Sequence, residues 1–209
     1  MAPVDAQRYD TGMPRIRISY NAPVVLTFAL AAVVVMCLPQ SFRETWFSAK
    51  PNTHYTGAYL GIFTHVLGHA NWQHLMGNFM LILLVGPILE ERYRSLPLLG
   101  MILGTALVTG LLNFVVGHEL LLGASGIVFM MILLASTANI RRGDIPLTFV
   151  AVAVLYLGAE VWHSFNKDNI SQFAHLVGGA VGAAFGFFSA GNKKSPGQLA
   201  DPKARAIAA

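Results

Sequence analysis

A serine set between glycines, Gly123-Ala124-Ser125-Gly126, opens the apolar run Ile127–Ile140. It has two readings. As an N-cap it would satisfy orphan N–H groups at a helix start. As a nucleophile it would sit where those same N–H groups can hold an oxyanion. His74 and Asn78 are four residues apart, so on a helix they share a side, and both can donate to a developing negative oxygen. His175 is followed by Gly178 and Gly182 on its own face, within the small-residue ridge Ala174, Gly178, Gly182 and Gly186. Ridges of this kind let helix backbones approach closely in lipid. A tight contact between the His175 helix and the Ser125 helix would bring the imidazole to the hydroxyl. Serine, a histidine base and donors aimed at an oxyanion make an acyl-transfer site that needs no carboxylate.

Each residue also has a plainer reading. His175 fits a satisfied interhelical hydrogen bond, His74 an interface histidine capping a helix, and Asn78 helix–helix glue. Against this, ionisable side chains inside a membrane are functional candidates by default. Rival chemistries lack their groups. His65, His69 and His74 have spacings that suggest zinc, but there is no His-Glu-x-x-His. The five aspartates (Asp5, Asp10, Asp144, Asp168, Asp201) fall outside every apolar span, which removes an aspartyl intramembrane protease. Glu160 and His163 read as a wet helix end, and Glu90, Glu91 and Arg92 as a loop anchor or ion pair. Paired broken helices, the mark of a transporter, are absent from the pattern. The reading therefore includes no metal and no cofactor.

The elements that must position these residues are membrane helices. The 209 residues are 55% hydrophobic and 11% charged, against roughly 25% charged in a soluble domain. The predicted class is an all-α membrane protein with six spans near Pro23–Leu38, Trp72–Leu89, Leu96–Val116, Ser125–Ile140, Ile145–Trp162 and Phe173–Ala190. Residues 1–20 read as a flexible N-terminal segment, 21–190 as one helical domain and 191–209 as a basic tail. Net charge is +4, with the cations scattered between spans, which speaks to membrane orientation and not to nucleic acid. With the N-terminus cytoplasmic, inner segments hold eleven of the 14 Lys and Arg, leaving Arg43, Lys50 and Lys167 outside. Both termini are thus expected in the cytoplasm. Counted inward from His74, Ser125 and His175, three helices have about 15–16 residues, roughly 24 Å against a hydrocarbon thickness of ~30 Å. Their polar starts are therefore expected at one depth below the outer surface, reached by water. Cys37 lies in an apolar run and is expected to be a buried, inert thiol. The linker Gln40–Asn71, carrying Trp46, Tyr55, Tyr59 and Phe63, is expected to lie partly in the membrane interface.

Taken in order, the motifs resemble those of the rhomboid family of intramembrane serine proteases, in the compact six-helix form common in bacteria. Those motifs are His74-x-x-x-Asn78, Gly123-Ala124-Ser125-Gly126 and Ala174-His175-x-x-Gly178-x-x-x-Gly182, with Phe63-Thr64-His65 and Glu90-x-Arg92 as further family features. The resemblance implies a cofactor-free serine endopeptidase of the bacterial inner membrane, cutting transmembrane segments of other proteins. It implies a Ser125–His175 dyad and an oxyanion hole of His74, Asn78 and the Ser125 N–H. It further implies that His69 helps hold water or the outer loop, that Gly178 permits a close helix contact, and that the fifth helix and the linker Ser164–Gln172 gate lateral access. The alternative is a non-catalytic relative that binds and escorts transmembrane helices. Two departures stand out. Phe129 occupies a position where many bacterial members carry tyrosine, and the first linker has Leu60-Gly61 in place of a tryptophan–arginine pair.

Overall fold

A computed structural model describes residues 19–51, 53–117, 120–137, 145, 147, 150–151, 154–155 and 172–191. Among these the chain forms seven helices and no strand: α1 (Pro23–Met36), α2 (Gln40–Trp46), α3 (Thr56–Thr64), α4 (Trp72–Tyr93), α5 (Ser95–Val116), α6 (Ser125–Ser136) and α7 (Gln172–Gly191). Most of the fifth expected span, the pair Glu160 and His163, the residues His118 and Glu119, and nearly all of both terminal segments lie outside the described residues.

Apolar side chains cover both sides of the long helices. α4 buries Leu75, Phe79, Ile82 and Leu89 and exposes Met76, Met80, Leu84 and Ile88, with Met80 69% exposed. α5 likewise exposes Leu96, Leu99, Leu103 and Leu107. The polar residues Thr105, Thr109 and Asn113 of α5 are instead buried. An apolar exterior around polar interior groups suits lipid as solvent. α4 and the stretch Ser95–Val115 are both long and apolar enough to cross a membrane.

Two contacts organise the bundle. α7 lies along α6, and its ridge makes this possible. A Cβ at Gly178 would collide with the Gly126 carbonyl, one at Gly182 with the Met130 carbonyl, and one at Gly186 with Thr137. The close approach expected from the ridge is therefore present. α1 packs on α4, with Val25 against Gly86. α1 starts with Pro23 and has no side-chain cap of its own. Glu90 supplies one from α4: Oε1 accepts the Val24 N–H at 3.0 Å and Oε2 the Val25 N–H at 3.0 Å. The anchor reading of Glu90 holds, and the carboxylate also faces the positive end of the α1 dipole.

Three expectations need correction. α4 runs 22 residues through Pro87 to Tyr93, four beyond Leu89, so it is not a short helix. Its polar last turn is stabilised because Glu90 is bonded to α1. His175 sits one turn inside α7, which already begins at Gln172. Helix length therefore does not set a common depth for the polar residues. Cys37 is exposed, because α1 buries the stripe Val25, Ala32 and Met36 and residue 37 falls off it. The first linker contains two helices, α2 and α3, with Phe42, Tyr59, Leu60 and Phe63 exposed on them.

Candidate active site

Ser125 is the first residue of α6, and the N-cap position belongs to Ala124, with no side-chain cap. The capping reading of Ser125 is not what the helix uses. Its loop is held from two sides by the first linker. Ala49 and Leu121 form an isolated antiparallel bridge, with N···O distances of 2.8 and 3.0 Å. The Asn113 side chain donates to the Ala49 carbonyl at 3.1 Å, tying the same strand-like piece to α5. Closer to the serine, the Gly123 N–H donates to the His65 carbonyl at 2.9 Å, and the Ala124 N–H to His69 Nε2 at 3.4 Å.

Gly123 takes φ +124°, a left-handed conformation that side chains rarely adopt. Its hydrogen also leaves room for α4. A Cβ there would stand 2.7 Å from His74 Cε1, 2.8 Å from His74 Nε2 and 3.7 Å from Asn78 Nδ2. The polar start of α4 thus lies directly against the turn that presents Ser125. Asn71 caps that start, accepting the His74 N–H at 2.8 Å, which fixes the first turn of α4.

His74, Asn78, Ser125, Phe129 and His175 line one cavity of about 530 Å³, with Asn71, Gln73, Leu81, Leu122 and Val128 among its other walls. The Phe129 ring stacks on the His175 imidazole, centroids 4.4 Å apart and planes within 7°. Phenylalanine at this position therefore keeps the imidazole plane fixed without a hydroxyl. Asn78 Nδ2 is buried and has no hydrogen-bond partner among the described residues. A buried donor left unsatisfied costs about 1–3 kcal/mol. It is the arrangement expected where an acceptor arrives only with a ligand.

Two linker histidines carry the loop. His65 is buried and its Nδ1 lies 3.1 Å from the Gly61 carbonyl, with Nε2 3.2 Å from Thr109 Oγ1. Burial pushes its imidazole down to about 4, against the opposing pull of the Gly61 and Ile62 carbonyls. His69 is likewise lowered to about 4, first by burial and then by the neighbouring His74, with Arg43 adding to this. Both are neutral near pH 7. The bond from Ala124 assigns His69 Nε2 as acceptor, leaving Nδ1–H to donate to the Leu67 carbonyl at 3.3 Å. His69 also meets His74 edge to face, centroids 5.1 Å apart.

The four residues singled out in the sequence thus share one cavity. Arg43, which also bears on the site, read in the sequence only as an outer-linker charge. It is 8% exposed, and its guanidinium donates to the carbonyls of His69 and Ala70. No local pattern marks it, because its acceptors are backbone oxygens far along the chain.

A helical membrane protein with serine and histidine lining one cavity defines a class. The comparisons with known proteins give the family. The profile of the Rhomboid domain matches residues 56–192. The chain is also 33% identical over 132 residues to Rhomboid-related protein 1 of Caenorhabditis elegans, a match covering 57% of this chain and 36% of that protein. The chain therefore belongs to the rhomboid family. It spans about a third of the length of that relative.

Proposed function

We propose that this protein is an intramembrane serine endopeptidase that cleaves transmembrane segments of other membrane proteins. The observation that carries the reading is the shared cavity of Ser125, His175, His74 and Asn78, with the buried Asn78 amide still holding a hydrogen to donate. Ser125 Oγ attacks the carbonyl carbon of the scissile peptide as His175 takes its proton. Negative charge then develops on the peptide oxygen, where Asn78 Nδ2, the His74 imidazole and the Ser125 N–H at the α6 start serve as donors. Collapse breaks the C–N bond, and the leaving amine takes the proton from His175. Water, activated by the same imidazole, releases the acyl group from Ser125.

Six spans and cytoplasmic termini follow from the apolar runs and the bias of Lys and Arg. A bacterial inner membrane follows from the likeness to the compact bacterial form. The family gives the substrate class, and the uncharged walls of the cavity suit an apolar chain.

The test is reconstitution in liposomes with single-span substrates carrying small residues near their outer ends. The wild type is expected to release two fragments from at least one such substrate, and Ser125→Ala none. Binding of the spans by both proteins with cleavage by neither would replace the protease with a helix-binding relative.

A further inference from the structure

Arg43 is the buried cation of the outer linker, and no carboxylate pairs with it among the described residues. Its Nη1 donates to the His69 carbonyl and, at 3.5 Å, to the Ala70 carbonyl, and lies 3.1 Å from Met36 Sδ. Its Nε is buried with no hydrogen-bond partner among the described residues. Burying a guanidinium against neutral acceptors alone is costly. A residue kept on such terms is doing something that a packed apolar side chain would not do.

Its acceptors show what that is. The His69–Ala70 peptide stands at a fork between the two halves of the candidate site. On one side, His69 receives the Ala124 N–H next to Ser125 and touches the His74 ring. On the other, Ala70 leads directly into Asn71, which caps α4 and fixes the turn bearing His74 and, four residues on, Asn78. Both carbonyls are reached from α2 by one nitrogen of the guanidinium, Nη1.

We propose that Arg43 is a positioning residue for the Ser125 site: by clamping the His69–Ala70 peptide it sets the serine loop and the start of α4 relative to each other. The inference rests on the protease reading for its consequence in turnover, but its structural content is independent of that reading. Arg43 touches no substrate. It acts through the oxyanion donors and the serine loop, so its loss changes the chemical step more than substrate binding.

The test uses the full chain in detergent micelles, with Arg43→Met and Arg43→Lys variants. Displacing catalytic groups by about 1 Å costs up to about 100-fold, so Arg43→Met is expected to lower kcat of the folded fraction by about tenfold or more, with KM within about twofold of wild type. Arg43→Lys, which keeps the charge and one donor direction, is expected to fall between the two. Hydrogen exchange at the Gly123–Ser125 amides is expected to rise in Arg43→Met while the protection of α5 is unchanged. Arg43→Met and His69→Ala are expected to be non-additive, because both act through one peptide.

A folded Arg43→Met with wild-type kcat and wild-type exchange at residues 123–125 would overturn the proposal. So would a loss of thermal stability with kcat of the folded fraction intact, which is the signature of packing alone. Where Arg43→Met fails to fold, Arg43→Lys is read by the same criteria. If the wild type itself cleaves nothing, the protease reading falls, and the exchange result alone decides on Arg43.

Discussion

Asn78 is the residue whose state is hardest to explain by folding alone. Its amide nitrogen is buried without a partner among the described residues, a few ångströms from the turn before Ser125. An interhelical glue residue would have spent both ends of its amide on neighbouring helices. Asn78→Ala should therefore leave the melting temperature unchanged or raised while lowering kcat on the order of 100-fold, as loss of one oxyanion donor does. Thermal unfolding in detergent beside a cleavage assay reads both numbers. A large drop in melting temperature would return Asn78 to a structural role. Ser125, His74, Asn78 and His175 were legible in the sequence because each is polar where its surroundings are apolar. Arg43 was not, since a cation in a polar linker is unremarkable until its backbone acceptors are known.

Two helix contacts hold the elements of the bundle together. α7 can carry His175 to the cavity only because Gly178 lets its backbone meet that of Gly126. The obstacle to a side chain there is a main-chain carbonyl, which cannot swing aside. Gly178→Ala should therefore push α7 off α6, lowering stability by about 1–3 kcal/mol and displacing His175 enough to cut activity well beyond that. Denaturation in mixed micelles, with activity measured per folded molecule, checks the pair of effects. The second contact is the Glu90 cap on α1. Replacing Glu90 with Gln leaves one acceptor where two N–H groups need it, and should cost about 2 kcal/mol without touching the cavity. Its turnover per folded molecule should match the wild type. The glycine ridge showed the first contact in the sequence, because three-and-four spacing is a local signal. The length of α4 was not legible, because the two glutamates after Leu89 look like an ending until α1 is seen to need a carboxylate there.

For the molecule as a whole, an apolar exterior encloses an apolar core in which a few polar groups are buried, and the linker before α4 packs against that core. His65 and His69 lie in this linker and are held neutral, each lowered to about 4 from a usual 6.5. The unfolded chain therefore binds more protons than the folded one between those values. Stability should be flat above about pH 6.5 and should fall as pH drops toward 4, with the serine loop loosening as His69 loses its acceptor nitrogen. Melting temperatures at pH 7.5 and pH 5 test the sign, and His69→Gln should flatten the slope. The helical class and the boundaries of α5 were legible in composition and hydropathy. The two linker helices were not, since α2 and α3 are short and take their stability from what they pack on. The central claim remains that the Ser125 hydroxyl is a nucleophile served by His175. Mass spectrometry of the detergent-solubilised protein after treatment with a fluorophosphonate tests it most directly. The account predicts a covalent adduct on Ser125 that disappears in both Ser125→Ala and His175→Ala. A wild-type protein left unmodified where an active serine protease is labelled, or an adduct that survives Ser125→Ala, would contradict it.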